Sequence, residues 1–341
     1  MGFKRFDPED LVISNDSVTS TVWSGDATTL TSNSMFSSSA QTASISGDYY
    51  WEVYQTESSD STAAVQFSIA YCDKEGSGSE FYNSLVTGSS PTRTNYGQYR
   101  TLVLGDENDS FIFGDQTSSY FYVVNVNRAR YKESLLKGTM TLELSGSGGE
   151  ISITDDSALG NAAVYTDAGR KYNLVSGSAG TVYTETDSRG WTSNSGSYGW
   201  FLPDVGLLLL SGEALSGSFA DGGIDLHPGR GFDTDGENEK KIFDVIQIGS
   251  NFLLNSKETL SSNYAFVNVK SGEFNYSENP SFISGSTGEV VFDEFVNNPT
   301  TYATTVGLYN DNNECIAVAK LSRPLPKDFT KGLNLRVKLD F

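Results

Sequence analysis

The sequence predicts a mainly β protein, built of antiparallel, sandwich-like sheets with one short helical insert and an extended N-terminal arm. Three observations carry this. Apolar residues alternate with polar ones along many short runs, the period-2 pattern of a strand with one buried face. Hydrophobic residues are only 37% of the 341, yet aromatics reach 12%, with 18 Tyr and 20 Phe. Each aromatic buries about 150–250 Å², so a small apolar fraction still builds a core. Glycine is frequent, at 34 residues, and Ser, Thr, Asn and Asp crowd between the runs, as turns require.

Residues 1–46 are polar, with sparse apolar side chains: Val22, Trp23, Leu30, Met35 and Phe36. Such a segment cannot bury itself. It is either disordered or laid along a neighbouring surface, with Val22, Trp23, Met35 and Phe36 as anchors. Its polarity further implies that the rest folds without it. YYWEVYQ (49–55) and AAVQFSIAY (63–71) then read as a hairpin, and Val65, Phe67, Ile69 and Tyr71 share one face. Residues 73–98 read as a long polar loop, followed by short strands in YRTLVLG and SFIFGD. YFYVVNV (120–126) is aromatic or β-branched almost throughout, the strongest single strand. RARYKESLLKG (128–138) reads as a short helix capped by Gly138. TMTLELSG and EISITDD form a hairpin across GSGG, and KYNLVSG and GTVYTET repeat the theme. No fixed-period repeat is present, which argues against a propeller or solenoid.

WFLPDVGLLLLSGEAL (200–215) is the most apolar stretch. GENEKKIFDVIQIGSNF (236–252) is helical, because Ile242, Val245, Ile246 and Gly249 follow a 3.6-residue period and Glu237 and Glu239 suit the first turn. Strands return in NYAFVNVKSGEFNYS and GEVVFDEFV, then in TTVGLYNDNNECIAVAKL, a hairpin over an Asn/Asp turn. In LNLRVKLDF, Leu333, Leu335, Val337, Leu339 and Phe341 face one way; Asn334, Arg336, Lys338 and Asp340 face the other. Arg336 and Lys338 would discourage a free edge from self-pairing. The implied organisation is an arm (1–46), a large β domain (47–215), a loop-and-helix insert (216–258) and a C-terminal β unit (259–341).

The formal net charge is −20. This argues against nucleic acid and anionic membranes as partners, because both need a basic face. The longest apolar run, VGLLLL, falls far short of the roughly 18–20 residues of a membrane span, and MGFKRFDPED lacks the apolar core of a signal peptide. Cys72 and Cys315 form no framework of spaced pairs and read as free, buried or half-buried thiols. His227, in DLHPGRG, is the only histidine and sits among turn residues. With one histidine and two distant cysteines, neither a catalytic triad nor a transition-metal site is expected. DENDS (106–110) begins like an EF-hand loop but has Phe111 and Thr117 where Gly and Glu are needed. No cofactor and no enzymatic activity are expected. The alternative from another class is a β-rich glycan-binding or glycan-cleaving protein: a binder would present an exposed Trp or Tyr trough, for instance around Trp191 and Trp200, and an enzyme would lose activity on changing one carboxylate.

One likeness is more specific. The C-terminal stretch EFNYSENPSFISGSTGEVVFDEFVNNPTTYATTVGLYNDNNECIAVAKLSRPLPKDFTKGLNLRVKLDF resembles the C-terminal part of virion structural proteins of contractile-tailed, T4-like bacteriophages, notably those of cyanobacteria. SPTRTNYGQYRTLVLGDEND and NRARYKESLLKGTMTLELSG resemble the same family, and TTVGLYNDNNECIAVAKL is similar to a hairpin of phage tail-collar and fibre proteins. The resemblance implies a virion protein assembled in the host cytoplasm. Its partners would be other virion proteins, with further copies in an oligomer or ring. It implies no catalytic residues. The tail, at its baseplate or collar, is the expected place; the head surface or neck is the alternative. The expected contact residues are Val22, Trp23, Met35 and Phe36 on the arm, with Leu333, Leu335, Val337, Leu339 and Phe341 on the last strand.

Overall fold

Strands dominate because the sequence alternates; many pair as local hairpins and others with partners far along the chain. The computed structural model describes residues 4–37, 50–76, 92–160, 163–183, 196–218, 222–230, 236–277 and 280–340. Among these the strands are β1 (Leu11–Thr21), β2 (Thr29–Leu30), β3 (Phe36–Ser37), β4 (Trp51–Tyr54), β5 (Val65–Asp73), β6 (Phe111–Phe113), β7 (Gln116–Ser118), β8 (Tyr120–Val126), β9 (Ser134–Leu135), β10 (Thr141–Gly146) and β11 (Gly149–Asp155). They continue with β12 (Val164–Thr166), β13 (Gly169–Ser178), β14 (Thr181–Val182), β15 (Gly199–Leu202), β16 (Leu207–Ser211), β17 (Phe252–Leu253), β18 (Asn255–Val269), β19 (Thr301–Tyr309), β20 (Cys315–Lys327) and β21 (Leu333–Asp340). The α-helices are α1 (Thr92–Leu104), α2 (Gly212–Ser216), α3 (Glu237–Gly249) and α4 (Asp293–Asn297). The protein is mainly β, as the sequence predicts.

The chain divides into two units, Val18–Glu258 and Met1–Ser17 with Thr259–Phe341. The larger unit is organised by one sheet of order β2-β17-β10-β11-β13-β15-β16-β8-β5-β4-β3, with β12 and β14 attached to β13. Its central strands are buried on both faces, which explains their nearly unbroken apolar sequence. In β8, Tyr122, Val124 and Val126 join one core while Phe121 and Val123 join the other. In β16, Leu208 and Leu210 face the first core and Leu207 and Leu209 the second. The expected hairpins form: β4 with β5, through Trp51↔Ile69, and β10 with β11, through Leu144↔Ile151.

The first core is covered by α3, which contributes Ile242, Phe243, Val245 and Ile246. Gly249 lets this helix approach β10 closely, since a Cβ there would lie 2.1 Å from the Glu143 carbonyl oxygen. The second core is covered by α1 and the β6–β7 hairpin, through Tyr96, Val103, Phe111 and Phe113. Phe111 and Phe121 meet with ring centroids 4.5 Å apart, within the favourable range for tilted pairs.

Several expectations are corrected. Residues 92–104 are helix α1, where the sequence suggests the end of a polar loop and a strand in YRTLVLG. The Thr residues and Gly97 weaken its intrinsic propensity; burial of Tyr96 and Val103, seven apart on one face, favours the helix. Gly105, at φ 70°, ends it by donating its N–H to the Thr101 carbonyl at 3.1 Å. The expected helix at 128–138 is a single 3-10 turn, Arg128–Arg130, followed by β9. GEVVFDEFV is not a strand: it holds one isolated bridge, Ile283↔Val290, and the short helix α4. Nor do the arm and insert stand apart from the 47–215 body. The stretch from Val18 and the helix α3 belong to the same packed unit, because their apolar side chains complete the first core.

In the smaller unit, β1, β18 and β21 form a sheet in that order, and β19 and β20 form a separate hairpin. β18 pairs antiparallel with β21, Ala265 facing Val337 and Tyr264 facing Lys338. The β19–β20 hairpin pairs Leu308 with Ala317 and Gly307 with Val318.

Candidate assembly surface

The arm residues expected at an interface serve the larger unit's own core. Trp23 is 2% exposed. Its indole donates to the Phe252 carbonyl at 2.8 Å, and its ring centroid lies 4.8 Å from that of Phe252. Val22 and Met35 are buried in the same cluster, and the Met35 carbonyl accepts from Gln247 Nε2 at 2.8 Å. Phe36 is half-buried in β3, opposite Tyr54. Val22, Trp23 and Met35 are thus withdrawn from any neighbour and Phe36 only in part, because the sheet and α3 supply the apolar surface that the polar arm lacks.

The last strand keeps its predicted alternation. Leu335 and Val337 are buried, Leu333 and Leu339 half-buried, and Asn334, Arg336, Lys338 and Asp340 exposed; Phe341 lies outside the described residues. The apolar face meets the β19–β20 hairpin within the unit. Ala265, Val337 and Leu339 of one layer pack on Val306, Leu308, Ala317 and Ala319 of the other. Leu335 and Val337 are therefore internal and Leu333 and Leu339 partly so, and the apolar surfaces left for a neighbour lie elsewhere.

These surfaces are extensive. Leu11, Val12 and Ile13 are consecutive and all exposed, Ile13 at 72%, so the start of β1 is apolar and bare on both faces. The outer face of the hairpin shows Val318 at 65%, with Ile316, Tyr302 and Tyr309 also exposed. Most of the exposed large apolar side chains among the described residues lie in this smaller unit, although it holds fewer than a third of the residues. Its buried apolar set is small: Ala265, Val269, Leu308, Leu335 and Val337. A segment of this size normally buries far more. Lys327, also buried, braces the hairpin's base by donating to the Ser271 carbonyl at 3.0 Å and to Asn275 Oδ1 at 2.6 Å. The sequence signal for β1 was LVI between polar flanks, too short to separate an exposed edge from a core strand.

The larger unit's ionisable groups hold structure. Asp73 is fully buried and receives Arg230 Nε at 2.8 Å, the Tyr71 hydroxyl at 3.1 Å and the Glu75 N–H at 3.0 Å. Burial, then the Asp73 charge, pushes the Tyr71 phenol far above its ordinary range. Asp155 accepts from the Gly138 and Ser157 N–H groups, and Asp156 from the N–H and side-chain amide of Asn173. Glu239 accepts from the Tyr71 N–H at 3.1 Å. Each buried carboxylate thus braces backbone or a fixed side chain. Arg170 grips Asp204, its Nε 3.0 Å from Oδ1. His227 is exposed, and its carbonyl accepts from Lys241 Nζ at 3.1 Å. Asp106 accepts from the Asn108 N–H at 2.7 Å, closing a turn in DENDS. Among the described residues no three His, Cys, Asp or Glu side chains gather as a metal set, and no helix is long and apolar enough to cross a membrane.

Trp200, proposed for a sugar trough, is buried in the second core, with Lys171 Nζ 3.9 Å from its ring centroid; Trp191 lies outside the described residues. A cleft of about 450 Å³ beside Met35, Phe36, Lys240, Asp244 and Gln247 is open and polar. Of its charged residues, Lys240 and Asp244 pair with each other, Nζ lying 2.5 Å from the carboxylate, and Glu57 is the third. No family model, curated protein or solved structure matches the chain.

Proposed function

We propose that this chain is a structural component of a bacteriophage virion, placed in the tail at the baseplate or collar, and that it acts through protein–protein contacts. One observation carries the assembly part: the smaller unit buries few apolar side chains and exposes many, on β1 and on the outer face of the β19–β20 hairpin. Contiguous exposed apolar surface marks interaction sites, and a partner would complete the packing the unit lacks. The engagement of the buried carboxylates in structural hydrogen bonds also favours assembly over chemistry. The phage setting rests on the sequence resemblance in the C-terminal stretch.

The test is to purify virions of the source phage, quantify this chain by mass spectrometry, and image particles labelled with gold-conjugated antibody. A fixed copy number with gold at the tail tip or collar is the expected result. Gold over the head would move the protein to a decoration role. Absence from purified particles would overturn the structural reading.

A further inference from the structure

Among the described residues, β1, β18 and β21 belong to a four-stranded sheet in which β9 also pairs with β18, and β1 and β21 are the outer strands of the path β1-β18-β21. They differ in charge. β21 carries Arg336 and Lys338, both exposed, with Lys331 just before it. Asp340 partly offsets them, lying 2.9 Å from Lys338 Nζ. β1 has one charged residue, Asp16, and the acids Asp7, Glu9 and Asp10 lead into it. Two cations precede these acids: Lys4 is engaged with Glu273 at 3.2 Å, and Arg5 is exposed. Asp16 and Lys338 share one face of the sheet. The Lys338 ammonium is held above its ordinary range first by its hydrogen bond to Asp340 and also by the charge of Asp16.

Each strand disfavours its own copy. A two-fold antiparallel pairing of β1 along its whole length sets Asp16 against Asp16, since that residue is the strand's midpoint. Two β21 strands, aligned with their apolar faces on one side, set Arg336 against Arg336 or Lys338. Like charges directly opposite are destabilising. β1 against β21 has the opposite character: an acidic strand meets a basic one, and the bare Leu11, Val12 and Ile13 gain a neighbour.

We propose that copies of this chain associate head to tail, β1 of one protomer receiving β21 of the next as an added strand. This rests on the assembly reading above and names the partner as a second copy. Strand addition satisfies the free backbone groups of both edges at once. The contact is heterologous, so it builds a ring where the rotation closes and a filament where it does not.

The experiment is sedimentation velocity on the full chain over a range of concentration and salt. The wild type is expected to form species larger than a dimer, weakened by salt. Asp16→Lys alone, or Arg336→Glu with Lys338→Glu, is expected to weaken association by about tenfold or more. The triple variant carrying all three changes restores unlike edges and regains assembly. All three positions are exposed, and circular dichroism checks that each variant is folded. Hydrogen exchange on the wild type is an independent readout: raising the concentration should slow exchange within 11–17 and 333–340. A wild type that stays monomeric at low salt, a closed dimer that the triple variant fails to restore, or unchanged exchange in both strands would overturn the proposal. A monomer present in virions at fixed copy number would sink head-to-tail pairing and leave the structural reading standing. A self-assembling chain absent from virions would do the reverse.

Discussion

Trp23 tests whether the N-terminal stretch is core or arm. Its ring is enclosed by Phe67 and Phe252, with centroids at 6.2 and 4.8 Å, and its N–H meets the Phe252 carbonyl. Trp23→Ala removes the ring and the hydrogen bond and leaves a cavity, a change that costs about 3–5 kcal/mol. For a unit of this size the melting temperature should fall by about 6–20 °C. Trp23→Phe keeps most of the packing but leaves the buried Phe252 carbonyl without its donor, for about 1–3 kcal/mol. The assay is urea unfolding followed by far-ultraviolet circular dichroism, with the midpoint compared at unchanged slope. A Trp23→Ala midpoint within about 0.5 kcal/mol of wild type would refute the packing argument. It would return the segment to the role that polarity alone suggests. By the same reasoning deletion of residues 1–46 should unfold the larger unit, since Val22, Leu30 and Met35 leave the core with Trp23.

Val337→Asp places a carboxylate at a site only 7% exposed, against Ala265 and Leu308. It should cost several kcal/mol and open 259–340 to limited proteolysis; wild-type resistance would mean that this face is not packed. For the thiols, Cys315 is exposed, whereas Cys72 is buried, its thiol pushed up first by burial and then by Glu239 and Asp73. An aromatic disulfide reagent should therefore titrate Cys315 in the native chain and Cys72 only after denaturation; rapid reaction of both would contradict the burial. Burial alone would raise the Asp204 carboxyl, but Arg170 outweighs it and holds it below the usual range. A depressed folded pKa contributes stability above the unfolded value of about 3.9 and loses it as pH falls through the folded value. Asp204→Asn should flatten that acid limb in a melting series over pH, and an identical limb would remove Asp204 from the account.

The β class and several of its strands are local properties, and the sequence alone determines them. Alternation in AAVQFSIAY and LNLRVKLDF needs only the period of two, and the Asn/Asp turn of TTVGLYNDNNECIAVAKL needs only turn chemistry. Helix α3 was likewise visible in its own 3.6-residue period. What tertiary structure decided was everything that depends on which surfaces meet. Helix α1 exists because Tyr96 and Val103 find the second core; its Thr and Gly residues argue against it locally. Val22, Trp23 and Met35 lie in a polar segment, and only the distant β17 and α3 make them core. Val337 is internal for the same reason: the hairpin that covers it is supplied by another part of the chain. An alternating strand states that one face will be covered, but the identity of the cover is a long-range fact. That fact turns the expected interface into core and leaves β1 and the outer hairpin face bare.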